Sequence, residues 1–192
     1  AAEAVLRAGG ESHVVSGDLR LPDEAARAVA ATLERFGRLD ALVNNAGLAY
    51  FRSVDEATDV EIMEQVETNL LGTIWMTRAA LPALLKSKGA LVTVGSFAGR
   101  VAVPYYGYYS ATKFAVEGLS QGLAKEAASL GIRVTLIEPG PFRTDFQGRS
   151  MRLPERTLDA YAQTAGARRA QLRASDGKQA GDPVRAADAI VD

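Results

Sequence analysis

Tyr109 and Lys113 stand four positions apart in a Tyr-Ser-Ala-Thr-Lys segment. On a helix, this spacing places both side chains on one face, one turn apart. A free tyrosine has a pKa of about 10, and a nearby ammonium group lowers that pKa by favouring the phenolate. Because a general acid or base works best with a pKa near the operating pH, the pair is suited to proton transfer. The same residues on a solvated helix would form an ordinary surface pair, so the spacing needs supporting context.

Further polar and glycine residues follow the apolar segments that are expected to form strands. The carboxyl ends of parallel strands meet at one edge of an open α/β sheet, where ligands bind. Ser96 follows Gly89–Gly95, Asn45-Ala46-Gly47 follows Leu39–Asn44, and Pro139-Gly140 with Thr144 follows Ile132–Glu138. The sequence therefore predicts that these residues share one site with Tyr109.

The elements that must position these residues alternate between helices and short strands. Strands are predicted at Ser12–Ser16, Leu39–Asn44, Gly89–Gly95 and Ile132–Glu138. Helices are predicted at Ala1–Ala8, Pro22–Phe36, Val54–Leu85 with a break near Thr58-Asp59, Tyr106–Leu130 and Thr157–Arg173, and a last one begins at Asp182-Pro183. This alternation indicates an α/β fold with a doubly wound parallel sheet in three Rossmann-like layers, whose strands are buried on both faces. Residues 1–192 are expected to form one partial domain of this kind.

Composition excludes several kinds of protein and site. The formal net charge is −1 over 192 residues, which gives no electrostatic reason to bind nucleic acid. The chain has no cysteine, so disulfides and cysteine-ligated metals are excluded, and no metal site is expected. No apolar run is long enough to span a bilayer. We therefore expect a cytoplasmic protein that contacts neither nucleic acid nor a membrane.

Together these motifs resemble the short-chain dehydrogenase/reductase family. The resemblance extends from about Ser12 to Arg149, and more loosely to the C-terminus. The matching residues are Asn44-Asn45-Ala46-Gly47, Asn69, Ser96 within Gly-Ser-Phe-Ala-Gly, Tyr109 with Lys113, and Pro139-Gly140 with Thr144. One match alone would be weak, but the ordered set with consistent spacing is highly specific.

The resemblance implies a reaction and a set of catalytic roles. It implies an NAD(P)-dependent oxidoreductase that acts on CH-OH donors and interconverts an alcohol and a carbonyl by hydride transfer. Tyr109 would be the general acid/base, and Ser96 would hydrogen-bond the same substrate oxygen. Lys113 would lower the pKa of Tyr109 and bind the nicotinamide ribose, and Asn69 would position a water molecule in a proton relay from Lys113 to solvent. The substrate is expected to be a small, apolar molecule, because Phe97, Val101, Tyr106 and Phe146 suggest an apolar pocket.

The resemblance also implies contacts with NAD or NADP. Asp18 would lie beside the adenine ring, Asn45, Ala46 and Gly47 along the adenosine, and Pro139, Gly140, Phe142 and Thr144 around the nicotinamide, which Tyr109 and Lys113 also contact. Three of the predicted site residues have simpler interpretations. Asp18 could cap the helix that begins at Pro22, Thr144 could cap a short helix, and Asn69 could be a mid-helix residue bonded to backbone.

The Thr-Gly-xxx-Gly-x-Gly turn of the family does not occur in the chain. Glycines at this turn let the backbone approach the pyrophosphate at a helix N-terminus. We therefore expect the first two strands to be missing and the chain to be truncated at both ends, so that the fragment alone is inactive. The residue that selects NAD or NADP would be missing as well.

Two other kinds of protein could contain some of these residues. A non-catalytic binding protein of the same fold is the main alternative, but it would not need Ser96, Tyr109, Lys113 and Asn69 together. A serine hydrolase is disfavoured, since Gly-x-Ser-x-Gly is absent and the single histidine, His13, precedes Ser96. When full length, the protein is expected to form a homo-oligomer, a dimer or tetramer, through its long helices.

Overall fold

A computed structural model describes residues 2–146, 150–152 and 156–191. Its main sheet contains strands β1 (Ala41–Asn44), β3 (Ala90–Val94) and β4 (Arg133–Ile137), in the order β1-β3-β4. All three strands are parallel, with Leu42 opposite Leu91 and Leu91 opposite Val134. Their carboxyl ends therefore lie at one edge of the sheet. A second, two-stranded parallel sheet pairs β2 (Ala49–Tyr50) with β5 (Met151–Arg152).

Helices connect these strands. The α-helices are α1 (Ala2–Arg7), α2 (Pro22–Phe36), α3 (Asp59–Val66), α4 (Gly72–Ser87), α5 (Gly107–Ala127), α6 (Ala167–Ser175) and α7 (Pro183–Val191). Single turns of π-helix lie at Glu67–Leu71 and Ala162–Gly166, and 3-10 turns lie at Phe97–Gly99, Ala128–Leu130 and Asp159–Tyr161. Helix α2 ends because Gly37 adopts a left-handed conformation, with φ 74°, which glycine accepts without steric cost.

Reciprocal capping fixes the start of α3. The Thr58 hydroxyl accepts a hydrogen bond from the Glu61 backbone, and the Glu61 carboxylate accepts one from the Thr58 backbone. Each bond satisfies a backbone N–H that the first turn leaves unpaired. The capped start lies where a break was predicted, near Thr58-Asp59, but no helix precedes it from Val54.

One core joins the helices to the main sheet. Val29 of α2, Ala80 and Leu84 of α4, and Leu42 and Leu91 of the sheet pack together in it. Burying such side chains stabilises the fold by about 1.5–3 kcal/mol for each large aliphatic residue. This packing holds α4 and the carboxyl ends of the strands in fixed positions, and the parallel sheet with flanking helices confirms the predicted fold class.

Several predicted boundaries were wrong. Ser12–Ser16 is not a strand, because no described strand provides backbone hydrogen-bond partners for it. The strand predicted from Leu39 begins at Ala41, and Val43 on its outer face is exposed, so β1 is not buried on both faces. Helix α3 begins at Asp59 instead of Val54, and in the predicted helix Thr157–Arg173 the α-helical part begins only at Ala167. Ala1 and Arg149, which bounded two of the predictions, lie outside the described residues.

Candidate active site

Ser96 and Tyr109 meet at the carboxyl end of β3. Ser96 has extended backbone just after this strand, and its hydroxyl oxygen accepts a hydrogen bond from Ala98 N at 3.1 Å. Tyr109 lies in the first turn of α5, and its side chain interacts with that of Ser96. Their exposed fractions are 6% and 7%. A serine hydroxyl and a phenol thus lie together in a buried position.

Lys113 lies one helical turn after Tyr109 and is also buried. Its Nζ donates a hydrogen bond to the Val94 carbonyl at 2.8 Å. Burial lowers the pKa of Lys113 to about 8, because a charged ammonium is disfavoured where water is excluded. The lysine remains near Tyr109, with Nζ 5.8 Å from the centre of the phenol ring.

The pKa of Tyr109 is raised, whereas the resemblance implied that Lys113 would lower it. Burial raises this pKa, the hydrogen bond with Ser96 lowers it, and the neighbouring Tyr106 adds a smaller upward contribution. The Lys113 ammonium is directed to the Val94 carbonyl and not to the phenol oxygen. Desolvation therefore dominates, and the buried phenol keeps its proton at neutral pH.

Asn69 lies in the π-helical turn between α3 and α4 and is only 1% exposed. Its Oδ1 accepts from Leu48 N and its Nδ2 donates to Leu48 O, both at 2.9 Å. Nδ2 also contacts Thr112 Oγ1 at 3.2 Å. The simpler interpretation, bonding to backbone, thus describes the side chain, although the bonds reach another segment. The water relay stays a prediction.

Through Leu48, Asn69 fixes the turn that contains Asn45, Ala46 and Gly47. A Cβ atom at Gly47 would lie 3.4 Å from Asn69 Oδ1 and 3.9 Å from Lys113 Nζ. The glycine therefore leaves room directly beside the buried ammonium. A donor in such a position suits the hydroxyl groups of a ribose, so the residues present fit the sugar of a nicotinamide cofactor.

The segment after β4 reaches the same edge of the sheet. The Pro139 carbonyl accepts from Phe97 N at 3.1 Å, which ties it to the turn that follows Ser96. A Cβ atom at Gly140 would meet open space, and Phe142 forms an isolated parallel bridge with Gly181. Thr144 Oγ1 accepts from Phe146 N at 3.3 Å, so it caps a local turn. Contacts of these residues with a nicotinamide stay predictions.

Asp18 forms a forked ion pair with Arg20, with the shortest distance 2.6 Å from Nη2 to Oδ2. The hydrogen bond from Arg20 holds the pKa of this carboxyl below its usual value. Asp18 does not cap α2, whose first turn follows Leu21 without a side-chain cap. Its predicted place beside an adenine ring is not tested by these contacts.

An aromatic cluster surrounds the Tyr109 ring. Phe51 and Tyr106 stack with ring centres 4.2 Å apart, and both meet Tyr109 edge-on, at 5.4 and 6.3 Å. Phe146 lies 6.3 Å from Tyr109. The predicted pocket residues Phe97, Tyr106 and Phe146 belong to this cluster, whereas Val101 is exposed.

Sequence reasoning missed a group of buried charges beside this cluster. Glu56 pairs with Arg169, and Arg52 pairs with Glu61. Glu56 and Arg169 are 113 positions apart, so no local spacing could have identified the pair. Both residues lie in polar stretches of the sequence, so their burial had no local signal either.

Open depressions of about 310 and 190 Å³ lie away from Tyr109. The larger lies between Arg20 and α3, and the smaller lies between Arg100, α5 and β4. Among the residues described, no helix is long and apolar enough to cross a membrane. The same residues contain no cluster of three His, Cys, Asp or Glu side chains that could hold a metal.

The amino-acid sequence is similar to those of known proteins. A family model described as short chain dehydrogenase matches residues 1–153. The chain is 38% identical over 170 residues to oxidoreductase BOA17 of Botryotinia fuckeliana, covering 88% of this chain and 62% of that protein. It is 36% identical over 154 residues to 3-ketodihydrosphingosine reductase of Bacteroides thetaiotaomicron, covering 71% and 57%.

Solved structures agree with these sequence matches. A short-chain dehydrogenase from Streptomyces avermitilis superposes with a TM-score of 0.87 at 37% identity, over 98% of this chain and 68% of that one. ElxO with NADP bound gives 0.66 at 33% identity, over 68% and 54%. The chain spans about three fifths of the length of the curated relatives described above. With the matched family model, the shared fold and the Ser96–Tyr109–Lys113 geometry, the chain belongs to the short-chain dehydrogenase family.

Proposed function

We propose that the complete protein is an NAD(P)-dependent oxidoreductase that interconverts an alcohol and a carbonyl by hydride transfer, with Tyr109 as the general acid/base. The observation that carries this proposal is the buried contact of Tyr109 with Ser96, one helical turn from Lys113. A bound nicotinamide would accept or donate the hydride. The solved neighbours include proteins with NADP and with NAD bound, and both cofactors are proposed as candidates.

In the reducing direction, Tyr109 donates its phenol proton to the substrate oxygen as negative charge develops there. The Ser96 oxygen accepts from Ala98 N, and its one hydroxyl proton interacts with the Tyr109 oxygen in the substrate-free protein; when substrate binds, this proton is proposed to bond to the substrate oxygen instead. Hydrogen-bond donors aimed at a developing oxyanion are among the largest contributions to catalysis. The Val94 carbonyl fixes the Lys113 ammonium. In this position the ammonium can donate to the ribose hydroxyls.

The remaining cofactor contacts are proposed from the family resemblance. Gly47 leaves space beside Lys113, Asn45 and Ala46 belong to the same turn, and Asp18 is assigned to the adenine end. The nicotinamide end is assigned to Pro139, Gly140, Phe142 and Thr144, which follow β4. No glycine-rich phosphate turn occurs in these 192 residues, so the 192 residues alone are proposed to be inactive.

The aromatic cluster favours an apolar substrate. Phe51, Tyr106 and Phe146 surround the Tyr109 ring, and relatives include a 3-ketodihydrosphingosine reductase and a human 17-beta-hydroxysteroid dehydrogenase type 1. A bulky apolar ketone or alcohol is therefore the proposed substrate. Assembly into a homo-oligomer and a cytoplasmic location are proposed with it.

Replacing Tyr109 by Phe in the full-length protein tests this function. The expected result is a loss of turnover of about 10²–10⁴-fold, the usual contribution of general acid–base catalysis, with NADPH or NADH affinity retained. Turnover is followed by cofactor oxidation with a panel of aryl and cyclic ketones, and affinity by cofactor fluorescence. The matched control is Tyr108→Phe, which removes only a bond to the Val54 carbonyl. Undiminished turnover in Tyr109→Phe contradicts the mechanism.

A further inference from the structure

Tyr105 has a backbone conformation that is rare for a side chain of its size. Its φ is +78°, in the left-handed region that costs a bulky residue on the order of 1–3 kcal/mol and persists only when its surroundings enforce it. Successive side chains on an extended strand point to opposite sides. At Tyr105 the left-handed conformation breaks this alternation, so the buried rings of Tyr105 and Tyr106 both pack near Phe51. Their ring centres lie 6.1 and 4.2 Å from that of Phe51. We call these three rings the aromatic wall.

Arg169 of α6 holds Tyr105 in this conformation. Its Nε donates a hydrogen bond to the Tyr105 hydroxyl at 2.9 Å. Its guanidinium also lies over the Tyr105 ring, 5.2 Å from the ring centre, an attractive arrangement of cation and aromatic face. Two contacts from one side chain therefore fix both the tip and the face of Tyr105.

Glu56 in turn fixes Arg169. Both oxygens of its carboxylate accept from Arg169 Nη2 at 3.2 Å, and the Glu56 side chain is only 1% exposed. The carboxylate also accepts from the backbone N–H groups of Ser53 at 3.2 Å and Leu158 at 3.1 Å. Breaking a buried pair by removing one partner is costly because it leaves an uncompensated charge. Glu56 thus joins the loop after β2, the segment before α6, and α6 itself.

The proposed chemistry uses neither Glu56 nor Arg169, yet both act on the wall beside Tyr109. Tyr106 follows Tyr105 directly, and its ring lies 6.3 Å from that of Tyr109, edge-on. We propose that Glu56 and Arg169 are positioning residues that lock Tyr105 and thereby fix the aromatic wall that selects substrates by bulk. This inference rests on the proposed oxidoreductase function for its kinetic consequence only.

Kinetics of full-length Arg169→Met and Glu56→Gln measure this role. Cyclohexanone and 2-decalone serve as small and bulky ketone probes, with NADPH or NADH as reductant. The expected result is a rise of about tenfold in KM for 2-decalone, within the range for contacts in an apolar pocket, with kcat and the cofactor KM little changed. The ratio of kcat/KM for 2-decalone to kcat/KM for cyclohexanone therefore falls. A merely structural role would lower kcat equally for both ketones, through a smaller active fraction, and would leave KM unchanged; that result overturns the proposal.

Two controls separate positioning from general loss of stability. Arg173→Met makes the same replacement one turn along α6, at an exposed site, and is expected to leave both KM values unchanged. Val29→Ala weakens the core under the main sheet and is expected to lower stability without altering discrimination. If Arg169→Met does not fold, Tyr105→Phe removes only the hydroxyl that accepts from Arg169, and an unchanged KM in that variant contradicts the proposal.

Hydrogen exchange provides a measurement that does not require activity. The Tyr106 amide donates to the Val103 carbonyl at 3.2 Å, so its exchange reports on the wall. Exchange at the amides of Val103, Tyr105 and Tyr106 is expected to be faster in Arg169→Met and Glu56→Gln than in Arg173→Met. Unchanged exchange overturns the positioning role. If the wild-type protein reduces neither ketone but exchange still responds, the assigned function is wrong while the positioning of the wall stands.

Discussion

Lys113→Met is expected to change how the stability of the cofactor-free protein depends on pH. Lys113 is 7% exposed, and its Nζ donates to the Val94 carbonyl at 2.8 Å. Burial lowers the pKa of its ammonium from 10.5 to about 8. Methionine keeps an unbranched apolar side chain and binds no proton, so the variant removes this titration from both the folded and the unfolded state.

The sign of the effect follows from where the protons are bound. Between pH 8 and 10.5 the unfolded chain holds a proton on Lys113 that the folded protein has largely lost. Stability therefore rises with pH across this window, and the penalty is fully present below it. One pKa unit corresponds to roughly 1.36 kcal/mol. The difference between the Lys113 pKa in the unfolded and in the folded state is therefore worth about 3 kcal/mol of unfolding free energy. From pH 7 to pH 10, about 2–3 kcal/mol of this penalty should disappear.

Urea unfolding of the wild type and of Lys113→Met, at several pH values from about 7 to 10, measures the difference directly. Relative to the variant, the wild type should gain stability as pH rises. Lys125→Met, at an exposed position on the same helix, serves as the control and should differ from the wild type by a constant amount. If the wild-type and Lys113→Met curves run parallel, Lys113 is not desolvated in the folded protein and the reasoning is wrong.

Two further substitutions test the supports of the site. Asn69→Ala is expected to cost about 2–4 kcal/mol of unfolding free energy, because it leaves both backbone groups of Leu48 unpaired; a loss below about 0.5 kcal/mol, typical of surface positions, would contradict this. Gly99→Ala is expected to cost about 1–3 kcal/mol by overpacking, since the new Cβ would lie 2.9 Å from the Lys113 carbonyl oxygen. Urea unfolding measures both, and wild-type stability of Gly99→Ala would refute the close approach.

Sequence pattern was sufficient where one element carries the whole signal. The helical spacing of Tyr109 and Lys113 and the position of Ser96 after an apolar strand predicted their meeting at the carboxyl edge of β3. The capping signal of Asp182 with Pro183 located the start of α7, where Asp182 Oδ1 accepts from Val184 N at 2.9 Å. These signals are local, so they do not depend on which segments pack together.

Pattern failed where the outcome depends on distant partners. Ser12–Ser16 has the composition of a strand, but a strand exists only with a neighbour to pair with it, and the described residues provide none. The Glu56–Arg169 pair was beyond reach for the same reason, because these two residues are brought together only by the tertiary fold.

Burial shifts the pKa values of Tyr109 and Lys113 in opposite directions. Together the two shifts set the protonation state of the site before any reaction. It raises the pKa of Tyr109 and lowers that of Lys113 to about 8. At neutral pH the phenol is therefore protonated, while most Lys113 side chains still carry a proton. For the proposed reaction this is the state that donates a proton to a carbonyl oxygen. The reverse reaction needs the phenolate, which burial disfavours, so the hydrogen bond from Ser96 is the contact that must stabilise it. In the proposed mechanism Ser96 would therefore have two roles: it would orient the substrate during reduction, and it would lower the cost of the phenolate during oxidation.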